Sequence, residues 1–145
     1  MMIKCSNQGV ALIKRFEGKS NNAYLCPAGK WTIGYGRIKG VSEGMAWSDQ
    51  QCEDNLISDL REFELGVTRV VSATLNQAQF DSLVSFAFNL GIGALKGSTL
   101  LRKVNSDPND PTIRHEFNKW VNCNGKPLSG LIRRRAAEAD LYFSR

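Results

Sequence analysis

Apolar residues recur along most of this chain at intervals of three and four, the spacing of helices that bury one face. Val10, Ile13 and Phe16 do so first, with Gly18 as a stop, which predicts a helix over about residues 7–17 ending on Glu17. The pattern then changes. Pro27-Ala28-Gly29 reads as a turn, Trp31-Thr32-Ile33 as a short strand, and Gly34 and Gly36 bracket Tyr35 as in a small tight sheet. Tyr24 and Tyr35 read as sheet core, and Gly40 to Gly44 as a second turn region.

Ser48 followed by Gln51 is a capping-box pair, and Cys52, Leu56, Leu60, Phe63, Val67 and Val70 form one stripe behind it. That predicts a helix from Ser48 to Ala73, about 39 Å long at the helical rise, with Gly66 as a point where the stripe can break. Asn76 and Gln79 begin another helix by the same logic, carrying Phe80, Leu83, Val84, Ala87 and Phe88 and ending at Gly91 and Gly93. A short helix is expected over Ser98–Val104. Asp110 as N-cap with Pro111 at the first helical position predicts the next, with Ile113, Phe117 and Trp120 inward and Asn122–Gly125 as its stop. A last helix is expected from about Ser129 to Tyr142 with Ile132, Ala136, Ala139 and Phe143 on its buried stripe. The fold class is α+β: a small sheet near the N-terminus, about residues 18–47, a connecting helix over about 48–73, and a helical remainder, 74–145, packed with the first helix.

At 145 residues, 42% hydrophobic and 23% charged, the chain can bury a core and fits one domain. No apolar run is long enough to span a bilayer. The start, Met1-Met2-Ile3-Lys4-Cys5, has neither the apolar stretch nor the small-residue cleavage site of a secretory signal, so a soluble, cytosolic chain is expected. A formal charge of +5 favours polyanionic partners without choosing among nucleic acid, an anionic envelope and a wall polymer. Cys5, Cys26, Cys52 and Cys123 show no CxxC spacing and His115 is the one histidine, so no metal or cofactor is expected and the thiols are expected to be reduced.

The segment richest in candidate chemistry is Arg15-Phe16-Glu17-Gly18, Ala23-Tyr24-Leu25-Cys26-Pro27 and Thr32-Ile33-Gly34-Tyr35-Gly36. A carboxylate in the last turn of a helix meets the negative end of the helix dipole, which disfavours ionisation and suits a general acid. Local sequence alone favours reading Glu17 as an exposed helix end and Cys26 as a small buried residue, and leaves Thr32 readable as a β-branched strand residue.

These motifs resemble the active-site signature of phage-type lysozymes, the endolysins of glycoside hydrolase family 24: Glu-Gly ending the first helix, Tyr-x-Asp on the first strand, Thr-x-Gly-x-Gly on the next. Glu17 and Thr32 match the family's Glu and Thr, with Cys26 nine residues after the one and six before the other. The resemblance continues through Leu75-Asn76-Gln77-x-Gln79-Phe80-Asp81, Phe86-x-Phe88-Asn89-x-Gly91 and Leu131-x-Arg133-Arg134-Arg135-x-x-Glu138-x-x-Leu141. Two positions depart from it: Cys26 stands where most relatives have the catalytic aspartate, and Arg37 where many have histidine.

The resemblance implies a lysozyme-like fold and a muramidase that hydrolyses the β-1,4 bond between N-acetylmuramic acid and N-acetylglucosamine. In it Glu17 protonates the leaving oxygen, Cys26 acts as the second group and Thr32 helps hold the nucleophilic water. A thiol does that work as thiolate, by attacking directly, or by positioning water while Thr32 orients it, and Lys19, Lys30 and Arg37 are the cations that could lower its pKa. Gly36, Phe88 and Asn89 are implied as substrate contacts. The resemblance also implies a monomer that acts on peptidoglycan strands, waits in the host cytoplasm and reaches the wall through a holin. A lytic transglycosylase using Glu17 alone and a non-catalytic wall-binding domain stay open as alternatives.

A thiol protease on Cys26 and His115 and a nucleic-acid-binding role rest on far less. In Arg133-Arg134-Arg135, at least two members are expected on a solvated helix face, and the resemblance implies that one pairs with Glu17. A basic end helix of this kind also suits anionic envelope lipids.

Overall fold

The computed structural model describes residues 4–144. The start Met1-Met2-Ile3, on which the expectation of no export signal leans, lies outside them. The elements in order are α1 (Asn7–Glu17), β1 (Ser20–Leu25), β2 (Trp31–Gly34), α2 (Asp49–Val70), α3 (Gln77–Leu90), α4 (Ile92–Lys96), α5 (Thr99–Ser106), α6 (Ile113–Asn118), β3 (Asn122–Cys123), β4 (Lys126–Pro127) and α7 (Ser129–Tyr142). The chain divides into two compact units, Ile13–Arg61 and the remainder on either side of it.

In the Ile13–Arg61 unit, β1 and β2 pair antiparallel with Ser20 opposite Gly34, Tyr24 opposite Thr32 and Leu25 opposite Trp31. The far edge of β1 is covered by residues 45–47, through Ala23 N–H to the Met45 carbonyl (2.9 Å) and Trp47 N–H to the Asn21 carbonyl (2.7 Å). Ile33 and Arg37 exchange both backbone hydrogen bonds around the three-residue turn Gly34-Tyr35-Gly36. The turn needs φ of +65° at Gly34 and +89° at Gly36, values that side chains with a Cβ resist. Trp47 presses on Gly34 so closely that a Cβ there would stand 2.9 Å from the indole ring. Tyr24, expected in the core, is exposed on this edge, and Tyr35 is half-buried beneath Lys14, whose Nζ lies 5.6 Å from the ring centre.

Ser48 and Gln51 form the expected reciprocal cap on α2, with bonds of 2.8 and 3.1 Å, and Cys52, Leu56, Leu60 and Val67 are buried along one stripe. The helix runs through Gly66 without a break. That glycine is there because Ile92 approaches it: an added Cβ would meet Ile92 Cδ1 at 2.4 Å. The helix ends at Val70 instead of Ala73 because the Asn105 side chain caps it, donating to the Val70 carbonyl and accepting from Ser72 N–H.

The other unit is built on α3, whose residues Gln79 to Ala87 are all buried. The Asn76–Gln79 capping box forms as expected, and the Ala87 carbonyl bonded to Gly91 N–H closes the helix. Helix α7 lies against α3 and α6, with Phe86 edge-on to Phe117 and Trp120, and Tyr142 beside Phe117. The chain start is tied to this unit: Cys5 N–H donates to Glu64 (2.6 Å), Ser6 N–H and Oγ donate to Asp81, and Gln77 donates to the Lys4 carbonyl (2.9 Å). An apolar cavity of about 390 Å³ opens among Val67, Val71, Leu75 and Phe80.

Three expectations are corrected here. Helix α6 starts at Ile113, because Asp110 spends its carboxylate on Thr112 N–H (2.9 Å) and Oγ1 (2.7 Å) in a local turn before the helix. Residues 122–127 form a hairpin rather than a simple stop, its turn made by Asn124 and Gly125 at φ +53° and +79°. On α7 the buried face carries Arg134, Arg135, Glu138, Ala139, Leu141 and Tyr142, while Ile132 is 48% exposed. Two of the three arginines are therefore interior, and only Arg133 of the run is left to meet solvent or an anionic surface.

Candidate active site

Glu17 closes α1, where Gly18 N–H donates to the Lys14 carbonyl and turns the chain out of the helix at φ +69°. Its carboxylate is half-buried, and Oε1 lies 3.1 Å from where a Cβ would sit on Gly36. The Gly34-Tyr35-Gly36 turn thus brings bare backbone against the carboxylate. Lys14, one turn earlier on α1, is held by an ion pair with Glu53 of α2. That pair fixes the end of α1 beside the sheet.

Cys26 follows β1 directly. Its N–H donates to the Lys30 carbonyl (2.9 Å) and its carbonyl accepts from Gly29 N–H (2.8 Å), which folds residues 26–30 into a closed turn. The fold turns backbone amides toward the sulfur. The backbone amides of Lys30 and Ala28 and the hydroxyl of Thr32 hold the Cys26 thiol below its ordinary value, against a smaller opposing effect of desolvation. Thr32 is 4% exposed, and its hydroxyl also reaches the Lys30 carbonyl at 3.0 Å.

The cations expected to act on Cys26 have other partners. Lys19 is paired with Asp49 at 2.7 Å, and Arg37 with Asp59 at 2.8 Å, reaching Asn55 as well. Lys30 acts through its amide. The oriented backbone was missed in the sequence reading, although the Pro27-Ala28-Gly29 turn was its signal. The Arg37–Asp59 pair was missed too, and it gives Arg37 a structural task at the position where many relatives carry histidine.

Glu17, Cys26, Thr32 and Gly36 all fall in the Ile13–Arg61 unit, while Phe88 and Asn89 belong to the other, at the end of α3. Phe88 is edge-on to Phe63 with ring centres 5.2 Å apart, and Asn89 accepts from Arg135. Arg134 binds Glu138 (3.2 Å) and the Ser85 carbonyl, and Arg135 binds Glu138 at 3.3 Å. His115 is exposed on α6. Among the described residues no group of three or more His, Cys, Asp or Glu side chains is placed to hold a metal. All four cysteines are free thiols; burial pushes Cys5 and Cys52 up, and Cys123 is exposed.

A family model described as phage lysozyme matches residues 14–138. The endolysin of Bacillus phage B103 is 42% identical over 142 residues, 96% of this chain and 54% of that protein. The endolysin of Acyrthosiphon pisum secondary endosymbiont phage 1 is 39% identical over 143 residues, 96% of this chain and 97% of that one. The chain thus spans about half the length of the Bacillus phage relative and nearly all of the other. Among solved structures, the muramidase domain of SpmX from Asticaccaulis excentricus superposes with a TM-score of 0.89 at 38% identity, covering 98% of this chain and 99% of that one.

Proposed function

Because the chain belongs to the phage lysozyme family, we propose that it is an endolysin that degrades bacterial peptidoglycan as a muramidase, hydrolysing the β-1,4 bond between N-acetylmuramic acid and N-acetylglucosamine. The observation that carries this reading is the convergence, within one unit, of a helix-end carboxylic acid on bare glycine backbone and of a sulfur on hydrogen-bond donors. In the reaction, Glu17 gives its proton to the glycosidic oxygen as the C–O bond breaks. The Cys26 thiolate stabilises the positive charge that develops at the anomeric carbon, and water supplies the oxygen that closes the new reducing end. That water loses a proton, which the thiolate takes and passes to solvent as Glu17 is reprotonated. Thr32 orients that water and the sulfur. The formal charge of +5 favours approach to an anionic wall. Access through a holin and action as a monomer belong to the same proposal.

Digestion of purified sacculi followed by mass spectrometry tests it. Soluble fragments with reducing ends, lost in Glu17→Gln, are the expected result. Anhydromuramyl ends would instead make the protein a transglycosylase, and binding without release of fragments would make it a wall-binding domain.

A further inference from the structure

Lys14 and Glu17 sit three residues apart on α1, a spacing that puts both side chains on one face of the helix. Each meets the same turn. Glu17 Oε1 lies against the backbone of Gly36, and Lys14 Nζ stands 5.6 Å from the centre of the Tyr35 ring. The ammonium is held there by the carboxylate of Glu53 on α2. Lys14, Glu17, Tyr35, Gly36 and Glu53 all fall within the Ile13–Arg61 unit.

The stem of this turn is fixed by the two backbone bonds between Ile33 and Arg37, 3.0 and 2.9 Å, and by Trp47 against Gly34. At its tip, Gly34-Tyr35-Gly36, the flanking glycines leave Tyr35 as the one side chain that another element can grip. A helix that touched the tip at Gly36 alone could pivot about that point and swing the carboxylate. The Lys14–Tyr35 contact is a second point, one residue away in the turn and nearly one helical turn away on α1, and two points remove the pivot. A cation is drawn to the electron-rich face of a phenol ring, so the contact has a preferred place. The Lys14 and Glu53 side chains are 30% and 38% exposed, so an ion pair between them adds little to stability. What the pair does is direct the ammonium onto the ring.

We infer that Lys14 is a positioning residue for the general acid: seated on Tyr35 and steered by Glu53, it sets where the Glu17 carboxylate stands over Gly36. The inference rests on the wall-glycan reading above, in which Glu17 delivers the proton. Lys14 and Tyr35 act on substrate only through that carboxylate. A displaced proton donor leaves the glycan bound, but it no longer lines up with the glycosidic oxygen as the bond breaks. Loss of the contact therefore lowers kcat and leaves KM alone.

The test measures kcat and KM on soluble glycan strands, with thermal unfolding alongside, for Lys14→Met, Tyr35→Leu, their double variant and the conservative Lys14→Arg and Tyr35→Phe. Arg114→Met is the control for stability. Arg114 likewise pairs with an acid, Asp140, and lies 5.5 Å from a ring centre, that of Phe143, in the other unit. Lys14→Met and Tyr35→Leu should each lose kcat by about tenfold, with KM within about twofold of the parent. The double variant should lose no more than either single, because both break one contact. Lys14→Arg and Tyr35→Phe, which keep the cation and the ring, should hold kcat within about twofold of the parent. Arg114→Met should match the drop in Tm of Lys14→Met with kcat unchanged. Parental kcat in Lys14→Met, a loss that appears in KM instead, or losses that multiply in the double variant would each overturn the inference while the glycan reading stands. If the unsubstituted protein releases no reducing ends, or Glu17→Gln releases them at the parent's rate, the glycan reading falls and takes the inference with it.

Discussion

Oε1 of Glu17 and the Cα of Gly36 are neighbours because nothing but hydrogen occupies the space where a Cβ would stand, 3.1 Å from the carboxylate. Gly36→Ala therefore meets two separate penalties. Its φ of +89° resists a side chain at a cost of about 1–2 kcal/mol, and the new methyl pushes the carboxylate aside. Gly40→Ala supplies the matched control: φ is +75°, with nothing within 4 Å of the added carbon. Both variants should lose similar thermal stability, while only Gly36→Ala should lose wall-lysis rate, by about tenfold or more. Equal lysis rates in the two would separate Gly36 from the chemistry.

The sulfur of Cys26 is the next group to test. Held low by amide and hydroxyl donors, it becomes thiolate at a lower pH than an ordinary thiol, so the lysis rate should rise through a limb on the acid side of about 8.5. Cys26→Asp should carry that limb into the carboxylate range, and Cys26→Ser should abolish it. Alkylation offers an independent route. Cys5 and Cys52 are pushed up by burial and should react slowly, so in a Cys123→Ser background an alkylating agent should find Cys26 first. Undiminished lysis after verified modification of Cys26 would falsify its role.

Glu116 links stability to acid. Its carboxyl is held below the ordinary glutamate value by hydrogen bonds from Lys103 and Lys119, with its side chain 4% exposed. A folded-state pKa below the unfolded one gives stability that is fully present above about pH 5 and fades as the pH falls through the lowered value. Glu116→Gln should therefore unfold earlier than the parent at neutral pH, by about 1 kcal/mol, and the gap should close below about pH 4. A gap that stays constant with pH would mean that the charge contributes nothing.

Glu138 is a larger wager. Burial pushes its carboxyl up while Arg135 and Arg134 pull it back, and Ser85 donates to the same side chain. Glu138→Gln removes a carboxylate paired with two interior guanidinium groups and leaves them facing an amide. A loss of about 3–5 kcal/mol is expected, seen as a lower urea midpoint with an unchanged slope. An unmoved midpoint would show that the interior charges contribute no net stability.

Much of this was legible in the chain itself, where short-range chemistry decides the outcome. The Ser48–Gln51 and Asn76–Gln79 boxes formed as their spacing predicts, and α1 and α7 begin and end where their patterns do. Spacing together with family resemblance singled out Glu17, Cys26 and Thr32 as candidates, and all three fall in the Ile13–Arg61 unit. Three of the misses share a cause: distant residues overrode local signals. Asn105 ends α2 from thirty-five residues away, and Ile92 gives Gly66 a packing purpose that looks from the sequence like a helix breaker. Arg134 and Arg135 look like surface charges until Glu138, Ser85 and Asn89 are seen around them. The Asn124–Gly125 hairpin is a different kind of miss, because its dipeptide was a direct signal.

Chain ends usually fray, yet Glu64, Gln77 and Asp81 lace residues 4–6 onto α2 and α3. The amide protons of Cys5 and Ser6 therefore belong with the slow exchangers of the helical interior. They report the opening of that whole unit rather than loose motion at a terminus.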